Sequence, residues 1–164
     1  MKSLHLLIEK LADAGVEFVI VGGYAGVLHG SSFVTIDLDI CVALTPENLQ
    51  KLRTALADVH PVHRLNHRKL PFLEFPPPGQ PVANFYLETD AGIVDVLGDI
   101  LGIGDHATLR VNAMEITLFG RRCRVISLDD LIKAKEALGR EKDLLTAKEL
   151  RAIAAKRRQG RASD

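Results

Sequence analysis

Apolar residues repeat along this chain with two periods, and the switches between them mark its elements. Leu4, Leu7, Ile8 and Leu11 recur at helical spacing, with Ser3 ahead as N-cap and Gly15 behind, which predicts a first helix. The run "EFVIVGG" (17–23) reads as a short buried strand, "YAGVLHG" as a short helix closed by Gly30, and "TIDLDICVA" (35–43) as a second strand. Thr45 as N-cap, Pro46 at the first helical position and the stripe Leu49, Leu52, Leu56 and Val59 predict the next helix. "VANFYLE" and "GIVDVLG" flank "TDA" as a β-hairpin, and "MEITLF" and "RCRVIS" flank Gly120 and Arg121 as another. A capping-box-like "SLDD", Ser127 to Asp130, opens a helix to about Gly139, and a last helix follows over about 141–157. The proline-rich segment 60–81, with its "PPPG", predicts a mobile or extended loop.

This order of helices, strands and hairpins predicts an α/β protein of the α+β type: a mixed β-sheet flanked by helices, not a parallel doubly wound sheet. It predicts one domain over 1–157 and a flexible basic tail over 158–164. A chain of 164 residues buries roughly 70% of its unfolded surface, so a core needs no disulfide or metal staple. The two cysteines, Cys41 and Cys123, sit in apolar strand contexts and read as small buried hydrophobes in a reducing compartment. No apolar run approaches the roughly 20 residues of a membrane span, so the expectation is a cytoplasmic protein with no membrane partner.

Within this pattern the charges that break apolar strands carry the chemistry. Asp37 and Asp39 alternate with Ile36, Leu38 and Ile40, so the two carboxylates share one strand face while the apolar residues face a core. Paired carboxylates repel and lose hydration on burial. Either that face is wet, or a divalent cation compensates. Asp95, in "GIVDVLG", shares a face with Ile93 and Leu97 and is a third such carboxylate. Mg²⁺ takes oxygen ligands, and two ions can clamp the attacking and leaving oxygens of an in-line phosphoryl displacement. Gly22 and Gly23, at a strand-to-helix junction, let a backbone approach a phosphate. Asp-x-Asp alone is a weak signal, and so is a glycine pair; the combination with a later isolated strand Asp is stronger.

Other features weigh less. "GGYAG" fails the G-x-G-x-x-G spacing of a dinucleotide site. His29 reads as a packed helix-end histidine, and His60, His63 and His67 lie in the proline-rich loop. Net charge is zero, and the basic clusters at 60–69 and 156–161 read first as solvated, although the former would sit at the site mouth, where its His and Arg side chains would meet a polyanionic acceptor.

"VGG", "TIDLDI" and "IVDV" together resemble the nucleotidyltransferase superfamily, and "LHGSS", "DLDICV", "NFYLETDAGIVDVLG" and "SLDDLIKAKEALGREKDL" resemble its small bacterial members related to abortive-infection toxins and antitoxins. The resemblance covers about 16–150 and implies the nucleotidyltransferase fold, with Asp37, Asp39 and Asp95 as metal ligands and Lys135, Arg140, Lys142 and Asp143 as the family's C-terminal helix motif. It implies an enzyme that uses Mg²⁺, at a site that can hold two ions, to move an NMP from an NTP to an acceptor hydroxyl on RNA, protein or a small molecule. Gly22, Gly23, Ser31 and Lys135 would bind the nucleotide. One position departs from the pattern: Phe33 stands where relatives often carry an arginine, leaving Ser31, Ser32, Lys135 or Lys142 to supply that contact. The alternative is an antitoxin-like interaction module, catalytically weak, that keeps the fold. A metal nuclease fits the carboxylates but not the Gly-Gly turn.

Overall fold

The computed structural model describes residues 3–163, with side chains over 3–161. Helices α1 (Leu4–Asp13), α2 (Gly22–Leu28), α3 (Pro46–Leu56), α4 (His106–Asn112), α5 (Leu128–Leu138) and α6 (Glu141–Ser163) alternate with strands β1 (Phe18–Val21), β2 (Leu38–Val42), β3 (Val62–His63), β4 (Asn84–Thr89), β5 (Gly92–Leu97), β6 (Asp99–Ile100), β7 (Gly104–Asp105), β8 (Met114–Leu118) and β9 (Arg121–Val125). The helix starts are held by side chains read from the sequence. The Ser3, Thr45 and Ser127 hydroxyl oxygens accept from the amides of Leu6, Asn48 and Asp130, each at 3.1 Å. Gly139 ends α5 at φ +69°, a left-handed conformation that favours glycine.

Seven strands form one sheet in the order β3-β4-β5-β2-β1-β9-β8. β1 runs antiparallel to β2 and parallel to β9, β2 runs parallel to β5, and both predicted hairpins, β4–β5 and β8–β9, are antiparallel. The sheet is therefore mixed, with helices packed on it. Its centre is apolar on both faces where β1 crosses, and Val19, Ile20, Leu38, Ile40, Val94 and Val96 are fully buried. Three registers matter for the site. Asp39 lies opposite Asp95 across β2–β5, opposite Val21 across β1–β2, and Asp95 lies opposite Tyr86 across β4–β5.

Several elements differ from the expectation. β2 begins at Leu38, not Thr35, so Ile36 is 70% exposed instead of facing the core. The β6–β7 ladder and α4 are absent from the sequence reading: two-residue strands and a seven-residue helix are too short to show a hydrophobic period, and α4 rests on Asp105 Oδ1, which accepts from the Thr108 amide at 3.0 Å. α6 continues to Ser163 instead of closing near 157, and Asp164 lies outside the described residues.

Segment 60–81 is folded onto the sheet edge. β3 pairs with β4, and the His63 amide bonds to the Leu70 carbonyl at 2.9 Å. Phe72 is 0% exposed, packs edge-on to Phe85 at 4.9 Å between centroids, and lies under the Arg53 guanidinium at 5.1 Å. Arg53 also donates to the carbonyls of Phe72 and Pro76, at 3.1 and 2.6 Å. A single buried aromatic anchors the excursion, which composition alone hides among the prolines. Phe72→Leu keeps most of the volume but loses the ring contacts, and should lower stability by about 1 kcal/mol in urea titration. A change under a few tenths would mean that the ring is not the anchor.

Candidate active site

Because β2 and β5 are parallel and in register, alternation places Asp39 and Asp95 side by side on the face away from Leu38, Ile40, Val94 and Val96. That face opens into a cleft of about 420 Å³, lined by both carboxylates, Gly22, Asn84, Tyr86, Lys135 and Arg140, with apolar walls from β5, α5 and the β6 region.

Gly22 explains the first half of the glycine pair. Its φ is +66°, and a Cβ there would overlap Asp39 Oδ2 and stand 2.9 Å from the Cβ and Cγ of Asp39. The turn between β1 and α2 thus makes room for the carboxylate. At Gly23 a Cβ would sit 3.2 Å from Thr35 Oγ1, so the second glycine admits the chain leading into β2.

Asp39 is half-buried, and burial, followed by the Asp95 charge, pushes its carboxyl up to about 6; Asp37 adds to the rise, while Lys135 and Arg64 oppose it. Among the described residues no hydrogen bond reaches the Asp39 carboxylate. Asp95 differs. Arg64 Nη2 donates to both of its oxygens, at 2.8 and 2.6 Å, and Nε donates to Oδ1 at 3.2 Å. The same guanidinium lies 5.6 Å from the Tyr86 ring centroid. On the α5 side, Lys135 Nζ lies 3.7 Å from Asp143 Oδ1, and Arg140 Nε donates to Asp143 Oδ2 at 2.5 Å. Burial raises the Asp143 carboxyl, but the Arg140 hydrogen bond and the Lys135 charge outweigh it and hold the group below the usual carboxylate range. Asp143 therefore serves to position the two cations at the cleft wall.

Titration of the metal-free protein, read from the Asp39 carboxyl carbon, should give a midpoint near 6. A midpoint near 4 would show a wet, independent carboxylate.

Of the residues singled out in the sequence, Gly22, Asp39, Asp95 and Lys135 meet at the cleft. Asp37 precedes β2 and acts on Asp39 and Arg64 through its charge. Ser31 is elsewhere: its hydroxyl donates to Glu149 Oε1 at 2.5 Å, as Ser32 Oγ does to Oε2 at 2.5 Å, tying the α2–β2 loop to α6. His29 is packed, with Nε2 at 2.8 Å from the Ile126 carbonyl and Arg157 donating to its backbone oxygen at 2.9 Å. Arg64, Asn84 and Tyr86 join the site without having been singled out by the sequence. Read outward from "TDA", the hairpin register would have placed Phe85 opposite Asp95; the turn is only Asp90 and Ala91, with Thr89 paired to Gly92, and this one-residue shift brings Tyr86 there instead. The basic segment 60–69 is expected at the site mouth, but nothing local singles out Arg64 among its neighbours as the one that reaches Asp95.

Among the described residues no three His, Cys, Asp or Glu side chains are gathered around one point. The donor set still fits Mg²⁺. That ion usually takes one or two carboxylates, with waters and substrate phosphates as its other ligands. Asp39 supplies an oxygen pair without a hydrogen-bond donor, and Asp95 lies beside it.

No protein-family model matches the chain, and no curated protein matches it. Among solved structures it is similar to the antibiotic-resistance factor ANT(2'')-Ia in solution, at 14% identity over 98% of this chain and 96% of that one, with a TM-score of 0.50. A crystal structure of ANT(2'')-Ia in complex with adenylyl-2''-tobramycin aligns over 91% of this chain and 95% of that one, at 14% identity and a TM-score of 0.49. The first likeness shows the fold: a mixed sheet flanked by helices, the nucleotidyltransferase fold. Fold alone does not carry an activity. No described helix is long and apolar enough to cross a membrane.

Proposed function

We infer that this chain transfers an NMP from an Mg²⁺-bound NTP to an acceptor hydroxyl. The observation that carries the reading is the in-register Asp39–Asp95 pair in a cleft whose glycine turn is shaped around the Asp39 carboxylate. Asp39 and Asp95 would hold the cation, with Asp37 adding charge beside them. Bound there, Mg²⁺ would neutralise phosphate charge and fix the reacting phosphoryl group. The acceptor oxygen would attack the α-phosphorus as the bond to pyrophosphate breaks, and Asp95 would take the hydroxyl proton. Lys135, held at the wall by Asp143, would set a positive charge against the leaving pyrophosphate. The acceptor would be RNA, a protein or a small molecule.

The test is thermal unfolding with each Mg·NTP in turn. A ligand at a hundred times its Kd adds about 2.7 kcal/mol, so at least one NTP should raise Tm by several degrees. No shift with any NTP would sink the reading. A second reading, an antitoxin-like interaction module, is favoured by one observation: Phe33, Val34 and Ile36 are 50%, 91% and 70% exposed on the segment leading into Asp37. It is supported if NTPs give no shift while Phe33→Ser and Val34→Ser abolish capture of one defined protein.

A further inference from the structure

Arg64 holds Asp95 as a dication would. Its side chain reaches in from the strap beside β3, takes both carboxylate oxygens and is three-quarters shielded from solvent. A guanidinium fork on both oxygens leaves the carboxylate little capacity for a metal. The Arg64 charge also faces Asp39 and Asp37, so any dication entering beside Asp39 meets a cation already in place.

We propose that Arg64 is an intramolecular stand-in for the divalent cation: guanidinium and metal compete for the Asp95 carboxylate, and loading the site releases the Arg64 side chain. This rests on the reading above that Asp39 and Asp95 hold the metal. The strap's backbone is pinned beside the site, since the Arg64 amide donates to the Tyr86 carbonyl at 2.9 Å and Lys69 Nζ donates to the Arg64 carbonyl at 3.1 Å. Release is therefore a rotation of the side chain, not an opening of the segment. The Arg64 charge offsets the repulsion between Asp95 and Asp39.

The test is direct Mn²⁺ binding to the metal-free full-length protein, read by the loss of the free-ion electron paramagnetic resonance signal. Wild type, Arg64→Gln and Arg68→Gln are compared. Arg68 is exposed and lies on the same segment, so its variant makes the same change in net charge. Arg64→Gln should bind Mn²⁺ roughly ten-fold more tightly than wild type, and Arg68→Gln should stay within about two-fold, as solvent screening predicts for an exposed charge. In wild type, the Arg64 Nε–Hε resonance should move and exchange faster at Mg²⁺ saturation, while that of Arg53, bonded to the Phe72 carbonyl, should not. Equal or weaker binding by Arg64→Gln, an equal gain in Arg68→Gln, or an unmoved Arg64 signal at saturation overturns the proposal and leaves the metal site standing. Absence of Mn²⁺ binding in all three proteins overturns the metal reading and this proposal together.

Discussion

Asp39→Asn should make the metal-free protein more stable at pH 7 and abolish its response to Mg·NTP. The folded carboxyl titrates at about 6 against an ordinary aspartate value of 3.8, so the fold prefers the protonated form. The stability this group contributes is fully present below about pH 4 and is lost as pH rises through about 6. Across that window wild type should lose up to roughly 3 kcal/mol, because a tenfold change in proton affinity between the folded and unfolded chain is worth about 1.4 kcal/mol. Asparagine keeps the shape, carries no charge, and can donate to Asp95. The variant should therefore lack this loss between pH 4 and 6 and unfold several degrees higher at pH 7. Transfer activity should fall by about a hundredfold or more, since removal of one charged ligand costs several kcal/mol in the transition state. The paired measurement is Tm against pH without metal, and the Mg·NTP-induced shift at pH 7. A marked drop in metal-free stability would make Asp39 a structural residue; an unchanged Mg·NTP shift would remove it from the site.

What a sequence can disclose of such a site depends on the range of the determining interactions. Alternation within β2 and β5 is local, so Asp39 and Asp95 stand out as carboxylates set in apolar strands, and the turn "TDA" announces the β4–β5 hairpin. That β5 lies beside β2 in parallel, with Asp39 opposite Asp95, is a long-range fact that no periodicity contains; the family resemblance implies it by implying the fold. Asp37 shows the limit of pattern. It alternates with Asp39 in sequence, yet the strand starts one residue after it, and Ile36 turns to solvent. Arg64 shows another limit. Its role comes from β3 pairing with β4 and from Phe72 anchoring the strap, and neither leaves more than a single apolar letter among prolines. Ser31 stands near the glycine turn in sequence, but its partner, Glu149, lies on the last helix.

Gly22→Ala should destabilise the fold markedly, and it tests how the turn and the carboxylate depend on each other. Two costs add. At φ +66° an L residue is in the left-handed region, which costs about 1–2 kcal/mol for any side chain with a Cβ. The new methyl would also overlap Asp39 Oδ2 and stand 2.9 Å from Asp39 Cβ, so Asp39 must move toward Asp95, whose charge already repels it. Together these should cost about 3 kcal/mol in urea titration, with m unchanged. A double-mutant cycle with Asp39→Gly separates the terms, because glycine at 39 removes all three crowding atoms and leaves only the backbone strain. The coupling should be favourable by roughly 1–2 kcal/mol in the double variant. If Gly22→Ala costs less than about 0.5 kcal/mol, the turn carries no such strain. If it costs the full amount with no coupling to position 39, the glycine serves the backbone alone, and the case for a turn built around a functional carboxylate loses its main support.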